Sequence, residues 1–291
     1  MTAAPGATRL QPPPRPNRPT AGAGSLPQRS SPVKTSLGKR ALSIVLYGPS
    51  GVGKTSFAAN WPGCGFFYDP QEAGIEDLVE YKQCPAPKLS QKVNSFEALM
   101  DHASDIANKK YDIQTVVFDS MTGFEKLCFK FHCKEYFDND WSKKGFYSYF
   151  AGPKNAAKTD WPRFLDALDA IRDSGINTIL IGHSEVRQFS NPEGADYDRW
   201  IPYLDKETWQ QTHRWAQCVL FYNYHVSIEK EESSPKRKAN MTSERRFLYT
   251  TRTAAYDAKN RYGLPPLIDA GDDGAEAYKS FIKEFEKIAK V

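Results

Sequence analysis

Apolar runs of strand length recur along the chain and alternate with stretches whose apolar residues repeat at helical spacing. Ala41-Leu42-Ser43-Ile44-Val45-Leu46-Tyr47 predicts a buried strand, and Ser56-Phe57-Ala58-Ala59-Asn60 predicts the first turns of a helix. Gly65 to Asp69 reads as a short strand ending in acids, and Asn94-Ser95-Phe96-Glu97-Ala98-Leu99 opens a capped helix to about Asn108. Thr115 to Asp119 is a β-branched apolar strand. Trp161 to Ser174 has helical spacing, with Phe164, Leu165, Leu168 and Ile171 on one face, and Ile176 to Ile181 is another strand, ending at Gly182-His183-Ser184. Gln217 to Val226 and Arg246 to Thr251 predict a C-terminal β-hairpin whose polar, charged tip, Glu229 to Arg245, is expected to be mobile. Ala275 to Ala289 is amphipathic, with Tyr278, Phe281, Ile282, Phe285 and Ile288 on its apolar face. This order predicts an α/β fold, a mainly parallel sheet with helices on both faces and its ligand at the strand carboxyl ends. No internal repeat is visible.

Charge divides the chain unevenly. Of 39 Lys and Arg, seven stand in residues 1–40 with no acid among them, and the remaining 32 face 35 Asp and Glu. The same stretch is rich in Pro, Ala, Gly and Ser, so residues 1–38 are expected to be a disordered basic tail and residues 39–291 one domain. Such a tail can hold nucleic acid electrostatically or serve only as a solubilising extension. It has no apolar core of a secretory signal, and its prolines oppose the amphipathic helix of a transit peptide. No run reaches the roughly 18 to 20 apolar residues of a membrane span, and five cysteines without a Cys-x-x-Cys pair suggest reduced thiols and no metal site. Together these predict a cytoplasmic protein with no membrane partner.

Against this background one motif changes the picture. Gly48-Pro49-Ser50-Gly51-Val52-Gly53-Lys54-Thr55 matches the phosphate-binding P-loop pattern between a predicted strand and a predicted helix that opens at Ser56. Glycines let successive N–H groups turn inward toward phosphate oxygens, and the helix N-terminus adds partial positive charge. Lys54 is then expected on the β- and γ-phosphates of ATP, and Thr55 on Mg²⁺. The competing reading is a glycine-rich turn with an incidental Lys-Thr. No base-specific motif separates ATP from GTP.

Five further residues are candidates. Asp119 ends a strand at the distance expected of a Walker B acid, a second Mg²⁺ ligand. Glu72, in Asp69-Pro70-Gln71-Glu72-Ala73-Gly74, follows another strand and could polarise the attacking water; Asp69 is its rival, and both can equally be ordinary loop acids. His183 ends the strand after Asp119, either sensing the γ-phosphate or merely closing a turn. Lys259 and Arg261, in Ala258-Lys259-Asn260-Arg261-Tyr262-Gly263, share a face if that segment is extended and then reach one anion together; otherwise they form a solvated basic turn.

In this order these segments resemble the RecA-like P-loop NTPase core. The Lys-Asn-Arg segment resembles a motif of bacterial RadA and of DnaB-type replicative helicases, and residues 41 to about 270 are similar to compact phage-type RecA-core ATPases, a group that includes single-strand annealing proteins. The resemblance implies a homo-oligomer, ring or filament, with nucleotide between subunits. Lys54, Thr55, Asp119 and Glu72 would act within one subunit, Lys259 and Arg261 on the neighbour's γ-phosphate, and His183 as sensor. It also implies contact with single-stranded DNA through loops at Lys130 to Lys158 (Lys134, Trp141, Lys143, Lys144, Tyr147, Tyr149) and Arg187 to Lys206 (Arg187, Phe189, Arg199, Trp200). Cations interleaved with aromatics suit a single strand. The acids Asp138, Asp140, Glu193, Asp196 and Asp198 dilute that field, and exposed rings also suit a subunit interface.

The implied activity is a DNA-stimulated ATPase in phage-type recombination, annealing or replication, working with other replication or recombination proteins. No segment resembles the helicase-loading or zinc domains of full-length relatives, so processive unwinding is not expected. Two alternatives stand beside it: a nucleotide-dependent switch or helicase loader, and a small-molecule kinase using Glu229 to Arg245 as its lid.

Overall fold

A computed structural model describes residues 41–192, 194–225, 227–229, 238–240 and 245–289. The tail expected at residues 1–38, and most of the mobile tip expected between Glu229 and Arg245, lie outside the described residues.

The chain begins with strand β1 (Ser43–Gly48), helix α1 (Lys54–Ala59), β2 (Cys64–Tyr68), α2 (Gly74–Glu80) and β3 (Leu89–Lys92). Then follow α3 (Phe96–Ala107), β4 (Thr115–Asp119), α4 (Met121–Phe137), α5 (Ala151–Asp173), β5 (Asn177–Phe189), β6 (Tyr197–Pro202) and α6 (Lys206–Trp215). The last third holds β7 (Cys218–Tyr224), β8 (Ser227–Glu229), β9 (Lys238–Asn240), β10 (Arg246–Tyr249), β11 (Lys259–Asn260), β12 (Leu267–Gly271) and α7 (Gly274–Ala289).

The central sheet runs β12-β10-β7-β1-β5-β4-β2-β3, with β11 against β7 and β6 against β5. From β7 to β3 every neighbouring pair is parallel; β10, β12, β11 and β6 join antiparallel. The mixed, mostly parallel sheet is the predicted α/β class. The predicted hairpin is also present, with β10 antiparallel to β7. Strand β1 is buried along its whole length because helices cover both sides. Ile44 and Leu46 alternate onto the side with Phe57 of α1 and Phe281 of α7. Val45 and Tyr47 face the larger cluster formed with Phe124, Trp161 and Phe164 of α4 and α5. Since β1 pairs with β5 on one side and β7 on the other, whatever follows Gly48 is flanked by β5 from His183 onward and by the last residues of β7.

Three elements depart from the pattern read in the sequence. Helix α5 begins at Ala151, ten residues before the predicted start, because its first half buries small residues, Gly152, Ala156 and Ala157, that carry little apolar signal. Of the loop expected at Lys130 to Lys158, only residues 138–150 lie outside α4 and α5. The loop expected at Arg187 to Lys206 is instead a β-hairpin: β5 continues past His183 to Phe189 and pairs with β6 from Ser184↔Pro202 to Phe189↔Tyr197.

Candidate active site

Gly48 ends β1 so close to β7 that a Cβ there would collide with the Tyr222 carbonyl. The loop then turns through Gly51 (φ 78°) and Gly53 (φ 99°), both in the left-handed region that glycine adopts without a Cβ penalty. Helix α1 starts at Lys54, whose Nζ reaches back across the loop to the carbonyls of Gly48 (2.9 Å) and Pro49 (2.8 Å). Burial pushes this amine down to about 8, opposed by the charges of Asp119 and Glu72. Thr55 Oγ1 donates to Asp119 Oδ2 at 3.0 Å. Burial, and then the Glu72 charge, push the Asp119 carboxyl up to about 6. A buried carboxylate beside a hydroxyl, with its charged form disfavoured, is an all-oxygen donor pair that a hard cation would relieve. Thr55 and Asp119 therefore fit Mg²⁺.

Strand register brings the other acids here. Tyr68 pairs with Asp119 and Asp119 with Ile181, while Gly48 pairs with His183, so β1, β2 and β4 end level with residues 181–183 of β5. Beyond them His183 Nε2 donates to Glu72 Oε1 at 2.5 Å. This bond holds the Glu72 carboxyl below its ordinary value against the cost of burial, and Lys54 assists. Asp69, the rival acid, is committed elsewhere: Oδ2 accepts from Ser120 N (3.2 Å) and Oγ (3.3 Å), and Oδ1 from Gln71 N (2.9 Å). Glu72 and His183 line a cleft of about 260 Å³ with Thr122, Lys126 and Tyr203; Asp69 borders the same cleft, but its oxygens are already engaged.

A glycine-rich loop after β1, a helix opening on Lys-Thr and a buried acid two strands along the sheet mark a P-loop site, and a family model described as an AAA domain matches residues 40–262. The chain belongs to this AAA domain family. No curated protein matches it. Membership makes the chain a P-loop ATPase of the AAA type, which binds and hydrolyses nucleotide. No helix among the described residues is long and apolar enough to cross a membrane.

Lys259 and Arg261 lie at the opposite end of the AAA domain's sheet. Strand β11 pairs with the start of β7, Lys259↔Val219 and Asn260↔Cys218, whereas the P-loop follows the carboxyl end of β1. Lys259 Nζ donates to the carbonyls of His213 (2.6 Å) and Arg214 (3.0 Å) at the end of α6, where the helix dipole is negative. Burial, and then Arg261, push the Lys259 amine down to about 8. Arg261 is exposed, with NH1 3.3 Å from Gln217 Oε1. Neither cation is brought to the P-loop of its own chain.

The two regions tied by resemblance to nucleic acid differ from each other. In residues 138–150, Tyr149 is 99% and Phe150 72% exposed. On the β5–β6 hairpin, by contrast, Arg199 is 5% exposed and spent on Ala254 O (3.0 Å), Tyr197 Oη (2.7 Å) and the Phe189 ring. Trp200 stacks on Phe221 of the core. Lys206, at the start of α6, makes no hydrogen bond or ion pair among the described residues. It opens, with Arg187 and Arg252, onto a cavity of about 550 Å³.

One neighbour of the P-loop escaped the sequence reading. Strand β10 places Arg246 opposite Tyr224, and a Cβ on Gly53 would come within 2.8 Å of a nitrogen of its guanidinium. Arg246 follows a charged run and opens an apolar strand; only the register with β7 reveals which way it faces.

Proposed function

We propose that the chain is a RecA-like ATPase that hydrolyses ATP at the Lys54–Asp119–Glu72 site and couples turnover to single-stranded DNA within a homo-oligomer. The observation that carries the hydrolytic reading is the Glu72–His183 pair, close enough to Lys54 and Asp119 for their charges to act on one another. Held below its ordinary pKa, Glu72 is ionised near neutrality and can accept a proton from water. The water oxygen then bonds to the γ-phosphorus as the bond to the β-phosphate oxygen breaks, giving ADP and inorganic phosphate. Lys54 leaves the Gly48 and Pro49 carbonyls to meet phosphate oxygens, and Thr55 and Asp119 hold Mg²⁺, which when bound neutralises charge shared by the β- and γ-phosphates. While His183 donates to Glu72 the base is restrained; a γ-phosphate that draws the imidazole away frees it.

Lys259 and Arg261 would act in trans. Their distance from the P-loop of their own chain supports this, since only a neighbouring subunit could present them to bound nucleotide. The exposed rings of residues 138–150, with Lys143 and Lys144, and the cations around Lys206 support DNA contact by stacking and charge. A place in phage-type recombination, annealing or replication follows from the likeness to RecA-core proteins.

The test is ATP hydrolysis by wild type, Lys54→Ala, Arg261→Ala and equimolar mixtures of the two variants, each with and without single-stranded DNA. The expected result is a rate stimulated by DNA, lost in each variant alone and partly restored on mixing, because mixed oligomers rebuild some complete interfaces. Full activity of Arg261→Ala with no DNA effect would leave the ATPase and remove the inter-subunit and DNA parts.

A further inference from the structure

Strand β7 alternates, so Leu220, Tyr222 and Tyr224 all turn to the side that carries α1, and the Phe57 and Tyr222 rings lie 6.3 Å apart. Because β10 pairs with β7 in the register Arg246↔Tyr224, Arg246 projects to the same side, beside the start of α1. Its guanidinium carbon sits 5.5 Å from the centre of the Tyr224 ring. Tyr224 Oη in turn reaches Gly51 O at 3.5 Å, so the arginine's platform is attached to the P-loop itself.

Arg246 forms no ion pair among the described residues, and its Nε is buried without a hydrogen-bond partner, as is the neighbouring Tyr222 Oη. Arg245, the adjacent arginine, is by contrast paired with Asp269. The Tyr222 hydroxyl lies within reach of both Arg246 and Asp273, whose Oδ1 also accepts from Glu276 N at 2.8 Å, but a neutral hydroxyl does not balance a guanidinium and no ion pair joins Arg246 to Asp273. An unpaired guanidinium with a buried Nε is costly unless an acceptor completes it. Here it lies against Gly53, in a loop whose free N–H groups and adjoining lysine select an anion. A phosphate would supply an acceptor to the loop and the arginine together.

We infer that Arg246 is a phosphate-binding residue of this nucleotide site, acting within its own subunit and delivered by the hairpin strand β10. Tyr224 positions it by holding the guanidinium over the loop. Nucleotide would then be gripped from two sides of β1, by Lys54, Thr55 and Asp119 on one and by Arg246 on the other. The inference rests on the P-loop reading and extends it to an element that carries no phosphate-binding motif.

The test measures binding of fluorescent ADP and of non-hydrolysable ATP to wild type, Lys54→Ala, Arg246→Ala, Arg246→Gln and Arg246→Lys, with melting temperatures recorded with and without ADP. Both neutral substitutions are expected to weaken ADP and ATP analogue at least tenfold and to lose most of the ADP-induced rise in melting temperature. Their melting without nucleotide is expected to stay close to wild type, and Arg246→Lys to recover part of the affinity. Arg246→Gln keeps the aliphatic stem and a polar group at the Nε position without the charge, so it decides the matter if Arg246→Ala folds poorly. Affinity within twofold of wild type in Arg246→Gln, while Lys54→Ala loses binding, would overturn the role of Arg246 and leave the P-loop reading intact. Wild-type protein that binds neither nucleotide, or Lys54→Ala that binds as wild type, would overturn the P-loop reading itself.

Discussion

Asp69 and Glu72 stand three residues apart with the same charge and opposite duties. Asp69 accepts from Ser120 and Gln71 and so fixes the turn after Asp119, while Glu72 faces the cleft with His183. Asp69→Ala leaves buried donors without an acceptor and is expected to cost about 1–3 kcal/mol in urea unfolding; a loss under about 0.5 kcal/mol would contradict this role. Glu125 of α4 is a third kind of acid. Its Oε1 accepts from Asp205 N at 2.9 Å, and burial pushes its carboxyl up to about 7. The folded protein thus keeps a proton that the unfolded chain releases near pH 4.3. The stability this contributes is present below that pH and is lost as pH rises through about 7. Glu125→Gln cannot ionise. Its unfolding free energy should therefore fall less than that of wild type between pH 5 and 8, by on the order of 2 kcal/mol; parallel pH profiles would contradict it.

At the scale of elements, stability at the P-loop is borrowed. Helix α1 has six residues, too few to persist alone, and is held by α7, whose Phe281 is fully buried with its ring 6.0 Å from Phe57 and 5.7 Å from Trp61. Phe281→Ala is expected to cost about 3–5 kcal/mol, read from the denaturation midpoint. A cost below about 1 kcal/mol would show that α7 is not the support of α1. Helix α7 was legible because Tyr278, Phe281, Ile282 and Phe285 repeat along one face, and β1 and β4 because strands buried on both sides read as unbroken apolar runs. Strand β3 was not, since Leu89-Ser90-Gln91-Lys92 is a mostly exposed edge with no alternation to read. Helix α6 was missed for a related reason: Lys206–Trp215 buries only Thr208, Trp209 and Thr212, and its clearest local mark is the Asp205 cap. The second half of β5 was hidden because Glu185, Arg187 and Phe189 alternate with no apolar run, and antiparallel pairing with β6 is what keeps the strand extended.

At the scale of the whole molecule, the sheet separates two sets of charged groups. Lys54, Asp119, Glu72 and His183 gather at the carboxyl ends of the parallel strands, while Lys259 and Arg261 sit where β7 begins. The first set was legible because motif spacing along consecutive strands maps onto one edge of a parallel sheet. Arg246 was not, because its place depends on hairpin register across a charged segment that gives no local signal. In the proposed oligomer the second set of one subunit would meet the first set of the next.

Glu72 is the proposed activator of the water that hydrolyses ATP. The most direct test is steady-state ATP turnover by wild type and Glu72→Gln, with nucleotide affinity measured alongside. A carboxamide of the same shape keeps the side chain near His183 but cannot take a proton. Turnover is expected to fall about 10²-fold or more with affinity within about threefold of wild type. Turnover by Glu72→Gln equal to wild type would contradict the account and return the role of base to another group.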